Sequence, residues 1–214
     1  FTVHPAIETR GLTVTFSSIT LRNLIIDCNE DGAYGLMLDA ANGVSVSNTR
    51  ILDCSNYGVY APGSTDIHFN NFIVSGSGSA GIRVVGGGEV DVVNSVFYNN
   101  GFTAVDVRDS NAVVENSILV GNTEYALYVE GAGATLTSSY NTFDNNEGSY
   151  SEYVRTMSGN SIEDPDFTNA TGHDFTLQLS SPCFNTGDPD SAMNDADGTR
   201  NDKGAYGGPS GKSW

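Results

Sequence analysis

Basic residues are scarce in this chain, with 9 Lys and Arg against 26 Asp and Glu and a formal charge of −17. A phosphate backbone or an anionic membrane surface is repelled by that balance, which excludes nucleic-acid partners. Long apolar runs are missing too. Nothing approaches the roughly 18 consecutive apolar residues of a membrane span, so no membrane insertion is expected. The opening FTVHPAIETR is not a basic region leading into an apolar signal core. Because the chain starts at Phe1 without an initiator Met, it reads as processed or cut from a longer precursor, with any export signal already gone. A sustained 3.6-residue apolar stripe is also absent, which disfavours helical repeats. So are the period of roughly 40 residues of a propeller blade and the dense leucines of a leucine-rich repeat.

What is present is a repeat. At 214 residues and 38% hydrophobic content the chain can bury one sizeable core. Along most of it recurs an apolar-x-apolar-x-Asn unit: ITLRN at 19–23, VSVSN at 44–48, IHFNN at 67–71, VDVVN at 90–94 and AVVEN at 112–116. A degraded sixth copy, ATLTS, occupies 134–138. The markers Asn23, Asn48, Asn71, Asn94, Asn116 and Ser138 are 25, 23, 23, 22 and 22 residues apart, about one coil of a three-sided β-solenoid. Short period-2 runs punctuated by Gly, Asn, Asp and Ser fit its strands and turns. The expected fold is therefore all-β, a right-handed parallel β-helix of about six coils over residues 1–150, with an irregular segment over 151–214 capping the last coils. Stacking at the ~4.8 Å strand spacing would place the five marker asparagines in one column, bonded to each other and to turn backbone.

The second strand of each coil aligns as LML 36–38, VYA 59–61, IRV 82–84, VDV 105–107 and LYV 127–129. Alternation turns the apolar flanks inward and leaves Met37, Tyr60, Arg83, Asp106 and Tyr128 as an outward ladder. Asp39, Pro62, Val85, Arg108 and Glu130 follow two residues on. Aromatic rings mixed with paired charges can stack on sugar rings and bond their hydroxyls, which makes Tyr60, Arg83, Asp106, Arg108 and Tyr128 the carbohydrate-binding candidates. The same residues also suit plain cross-coil ion pairs. A neighbouring face of Thr20, Ser45, His68, Asp91, Val113 and Thr135 reads as plainer, with no acidic neighbour for His68 on its own strand.

The copies NTRILDCSNYGVYA, NSVFYNNGFTAVDV and NSILVGNTEYALYV resemble generic coils of the pectin-lyase-like right-handed β-helix superfamily. The tail DPDFTNATGHDFTLQLSSPCFNTGDPD followed by DADGTRNDKGAYGGP is similar to the C-terminal segment of secreted bacterial and archaeal surface β-helix proteins. That resemblance implies an extracellular or cell-surface location. It implies no single activity, because the fold carries lyases, hydrolases, epimerases, adhesins and inert scaffolds.

A hydrolase on this scaffold needs two converging carboxylates. Asp27, Asp31 and Asp53 come nearest, in turn-forming contexts. The chain lacks the Asn-Thr-Asp, Asp-Asp and Gly-His-Gly succession of polygalacturonases, the Arg-x-Pro-x-x-Arg of pectate lyases and the Tyr-Gly-Phe-Asp-Pro-His of alginate epimerases. AYGLMLDAA at 33–41 echoes the last without its His, while His4 and His173 lie outside the repeats. No catalytic residue is assigned. Asp188, Asp190, Asp195, Asp197 and Asp202 form an oxygen-rich stretch suited either to Ca²⁺ or to a solvated acidic turn, and it does not match an EF-hand loop. Cys28 and Cys54 occupy similar places in successive coils, as a disulfide or a reduced buried pair, and leave Cys183 over. Asn169 opens the sequon Asn169-Ala170-Thr171.

These features point to a noncatalytic extracellular structural or adhesive domain. The alternative is a carbohydrate-binding or polysaccharide-degrading domain with a polysaccharide partner. A strand-like GLTVTFSS from residue 11 leaves a coil edge that an upstream domain or another copy would cover, so end-to-end self-association is expected.

Overall fold

The computed structural model describes residues 2–3, 11–29, 33–151 and 156–211. Their strands wind into a parallel β-solenoid built from a thirteen-strand sheet and a seven-strand sheet, beside a small antiparallel pair of Phe167–Asn169 with Asp174–Leu177. The larger sheet bends along its length and supplies two of the three walls. Asn42–Leu52 and Thr65–Ser75 run through the bend as single strands, whereas later coils divide there, as Glu89–Val93 and Val96–Tyr98 do.

The bend is why asparagine recurs. Asn23, Asn48, Asn71, Asn94 and Asn116 all have φ between 46° and 57°. Asparagine enters this left-handed region more readily than other side-chain-bearing residues. In the sixth coil the corner is Tyr140, at φ 52°, and not Ser138. Val114 pairs with Ser138 and Val113 with Thr137, because the Gly131–Ala134 turn makes this coil two residues longer. Thr135 accordingly pairs with Asn111 and not with Val113, so it stays on the outward face but leaves the row in which the repeat spacing had put it.

The marker column does not bond within itself in the way its spacing suggested. Asn71 Nδ2 donates to the carbonyls of Ala205 and Gly207 at 3.0 and 2.8 Å, and Asn94 Nδ2 donates to Asn201 Oδ1 and Asp202 O at 2.9 and 3.0 Å. Asn116 Oδ1 accepts from the Asp188 N–H at 2.7 Å. All three side chains therefore hold the C-terminal tail. The asparagines that do stack are Asn100, Asn122 and Asn146, one turn further round the coil. Asn100 Nδ2 donates to Asn122 Oδ1 at 2.9 Å, and Asn122 Nδ2 donates to Asn146 Oδ1 at 2.8 Å.

Inside, each wall stacks apolar rows such as Leu36–Val59–Ile82–Val105–Leu127 and Val44–Ile67–Val90–Ala112–Leu136. Phe69, Phe72, Phe97 and Phe143 fill the centre. A disulfide joins Cys28 to Cys54 across adjacent coils, with their Cα atoms 4.7 Å apart.

The solenoid continues past residue 150. Gly148–Tyr150, Thr156–Ser158 and Ser161–Ile162 form a further coil on the sixth, so the expected boundary moves to Ile162. Among the described residues the tail lies along the flank, and Ile162 in the last strand remains 78% exposed. It covers the outward row Arg50–Ile73–Val96–Ile118–Thr142–Ser161 of the second wall. Arg50 reaches His173 O and the Tyr206 hydroxyl, Ile73, Val96 and Ile118 pack with Phe175, Cys183 and Ala205, and buried Lys203 donates to Thr142 and Ser161. Thr2–Val3 adds a strand beside Ile25–Asp27.

Candidate functional site

The seven-strand sheet presents the outward ladder in register: Met37 opposite Tyr60, Tyr60 opposite Arg83, Arg83 opposite Asp106, and Asp106 opposite Tyr128. Arg108 sits beside Glu130 in the next row. Three tyrosines missing from the sequence reading join them. Tyr34 and Tyr57 start their strands three residues before the ladder positions, and with Tyr60 they form a stack with ring centroids 5.3–5.8 Å apart. Tyr125 pairs with Tyr128 at 5.9 Å. The signal was the recurrent Tyr-x-x-Tyr of YGVY and YALY, hidden by reading each strand as three residues.

Between the two aromatic clusters lies a closed charge network. Asp106 has a fully buried side chain and meets Arg108 Nε at 3.0 Å and Arg83 Nη1 at 3.6 Å. Arg108 also binds Glu130 at 2.8 Å, and Arg83 donates to the Tyr57 hydroxyl at 2.8 Å. Each guanidinium lies over a ring, Arg83 at 5.5 Å from the Tyr57 centroid and Arg108 at 5.4 Å from Tyr128. Burial pushes the Asp106 carboxyl above its ordinary pKa even though both arginines pull the other way. Rigid, half-exposed rings with a fixed set of donors between them can stack on and hydrogen-bond a hydroxyl-bearing ligand.

The other expected residues fall elsewhere. His68 is flanked by acids after all: Nε2 lies 3.0 Å from Asp66 on its own strand, and Nδ1 lies 3.0 Å from Asp91 one coil on. Two residues apart on a strand means one face, which is the signal the sequence offered. Asp27 accepts the Asn29 N–H at 3.0 Å as a turn former, Asp53 pairs with His173 at 3.2 Å, and Asp31 and His4 lie outside the described residues. Asn169 is exposed and accepts from Thr171 at 3.2 Å.

The five tail aspartates expected for Ca²⁺ are occupied in separate turns. Asp188 accepts from Asp190 N, Asp190 from Ala192 N, Asp197 from Thr199 N, and Asp202 from Asn185 N, at 2.7–2.9 Å. Asp195 takes the Asp202 N–H. Among the described residues no group of three or more His, Cys, Asp or Glu is placed to hold a metal ion. Burial, with the nearby Asp195 and Asp197 carboxylates, pushes Asp202 up to about 6. A raised carboxyl favours folding below its unfolded pKa, and that contribution is lost as pH rises through about 6. Asp202→Asn is therefore expected to melt higher than the parent at neutral pH and to lose part of the parent's decline in Tm between about pH 4 and about pH 7. Parallel calorimetric scans of both proteins check this, and identical slopes would reject it.

Residues 10–175 match the family profile described as "Right handed beta helix region". The chain belongs to the right-handed β-helix family. The pectin-lyase-like resemblance thus holds for the fold, and the match fixes the hand of the coils. Among solved structures this β-helix is similar to pectate lyase Pel9A, at 12% identity over 96% of this chain and 85% of that one, with TM-score 0.45. It is also similar to the catalytic unit of a thermostable GH87 alpha-1,3-glucanase from Streptomyces thermodiastaticus strain HF3-3. That match has 11% identity, covers 77% of this chain and 55% of that one, and has TM-score 0.28. A search of curated protein sequences finds no match.

Proposed function

We propose that this β-helix is a noncatalytic, extracellular adhesive domain that binds a glycan along the outward face of its seven-strand sheet. The observation that carries the reading is the face itself. Tyr34, Tyr57 and Tyr60 form one aromatic platform and Tyr125 and Tyr128 another, with Arg83 and Arg108 held between them. Tyr60 and Tyr128 are three coils apart, about 14 Å at the usual strand spacing, so an extended oligosaccharide can touch both platforms. The carboxylates of this face favour binding over hydrolysis. Asp106 is buried between two arginines and Glu130 is paired with Arg108, so neither of these two carboxylates is free to act on a glycosidic bond. A disulfide between coils suits an oxidising, extracellular setting.

The test is a glycan array followed by titration calorimetry on the best ligand. Tyr60→Ala and Arg83→Ala are expected to weaken binding about tenfold each, the loss of one stacking or charge-assisted contact. No reducing ends should be released. Binding unaffected by both substitutions, or release of reducing sugar, would overturn the reading.

A further inference from the structure

Carboxylates outnumber cations on the outward face of the seven-strand sheet. Among the described residues of that sheet, Arg83 and Arg108 are the only basic side chains. They meet Asp106 and Glu130 within the strands. Two further carboxylates stand exposed at strand ends, Asp39 after Tyr34–Leu38 and Asp109 after Val105–Arg108. The whole chain leans the same way, with 26 acidic against 9 basic residues. The field over this face is therefore negative in spite of its two arginines.

Both guanidinium groups are also engaged within the protein. Arg108 gives Nε to Asp106 at 3.0 Å and Nη1 to Glu130 at 2.8 Å. A carboxylate is gripped best by two parallel N–H groups, and those contacts take one member of each such pair on Arg108. Its remaining Nη2 suits a single hydroxyl oxygen. Arg83 gives Nη1 to the Tyr57 hydroxyl at 2.8 Å, with Asp106 at 3.6 Å. The aromatic platforms add to the discrimination. A tyrosine ring is negative on its face, so it attracts the C–H side of a sugar ring and repels a carboxylate or sulfate.

We infer that the ligand of this face is a neutral, extended glycan, and that charge excludes polyuronides and sulfated glycans. The inference rests on the glycan-binding reading above and adds the chemical class of glycan. A chain with an acid on each sugar would lay a row of anions over Asp106, Glu130 and the exposed aspartates, and Arg108 has no open pair of donors to receive them. A neutral chain meets no such repulsion. It can rest on the Tyr34, Tyr57 and Tyr60 platform and on the Tyr125 and Tyr128 pair at once. Affinity then rises with chain length until both platforms are covered, because the second contact becomes intramolecular once the first has formed.

The test is an array of neutral, uronate-containing and sulfated oligosaccharides of graded length, read at about 20 mM and about 500 mM salt. The tightest neutral and tightest anionic ligands are then titrated by calorimetry. The neutral ligand is expected to hold its affinity within about twofold across that salt range, and to bind about tenfold or more tightly than the anionic one at low salt. High salt should narrow the gap by screening the repulsion. Glu130→Gln, which removes a half-exposed carboxylate and frees Arg108 Nη1, should narrow it at low salt. An anionic glycan that binds as tightly as the neutral one at low salt, or a gap unchanged by salt and by Glu130→Gln, would overturn this inference and leave the glycan-binding reading standing. No binding to any glycan, or neutral binding that Tyr60→Ala and Arg83→Ala leave unaltered, would overturn both.

Discussion

Asn122→Ala is expected to lower the unfolding free energy by about 4 kcal/mol, through two buried donors left without acceptors at about 1–3 kcal/mol each. Asn122 Oδ1 takes both the backbone N–H of Asn100, at 3.3 Å, and its Nδ2, at 2.9 Å. Asn122 in turn gives its own Nδ2 to Asn146 Oδ1 at 2.8 Å. Asn100 is fully buried and Asn122 is 1% exposed, so neither lost bond is readily replaced by bulk water. Asn146, at the end of the row and half-buried, should cost less when replaced by alanine. Urea titrations of the two variants against the parent give the comparison. A loss under about 1 kcal/mol at Asn122 would mean that water enters the turn and takes over the ladder.

Arg108→Ala should cost about 3 kcal/mol at neutral pH, because it removes the closest partner of a carboxylate that has no solvent exposure. Arg83, at 3.6 Å, is a weaker substitute. The loss should shrink in acid. The Asp106 pKa is already raised by burial in the parent, and removing Arg108 raises it further. Stability conferred by the neutral acid is present at low pH and is lost as pH rises through that pKa. Adding Asp106→Val should recover most of the deficit by removing the stranded charge. Urea titrations near pH 5 and pH 7 distinguish the cases. Equal losses at the two pH values, or no recovery in the double variant, would show that Arg108 acts through packing alone.

Much of the architecture could be read from spacing, because a coil repeats its chemistry each time the chain passes a corner. The in-register ladder from Met37 to Tyr128 followed from aligning apolar pairs, and the Asn corners from the residue that best tolerates positive φ. What escaped has physical causes. The sixth corner slipped because two extra residues in the Gly131–Ala134 turn let ATLTS imitate the unit out of register. The role of the marker asparagines was hidden because their partners lie more than a hundred residues downstream for Asn71 and Asn94, where no local pattern reports them. One clue stood in plain view. VFY, ILV and the FIV within the longest strands are apolar on consecutive residues, so both faces of that wall had to be covered. The inward set faces the solenoid core and the outward set meets the tail. The candidate face was legible only in part, since Tyr34 and Tyr57 precede the three-residue strands used to align it.

The flank-bound tail also gives the molecule an order of assembly. Each coil closes on a neighbour 22–25 residues away, short loops whose closure entropy is small, so the coils can add one after another as the chain elongates. The tail's bonds to Asn71 span 134 and 136 residues, and the Arg50 bond to Tyr206 spans 156. Contacts of that sequence separation form last. Without those contacts Ile73, Val96 and Ile118 would face water as an apolar stripe, which the tail covers in the folded chain.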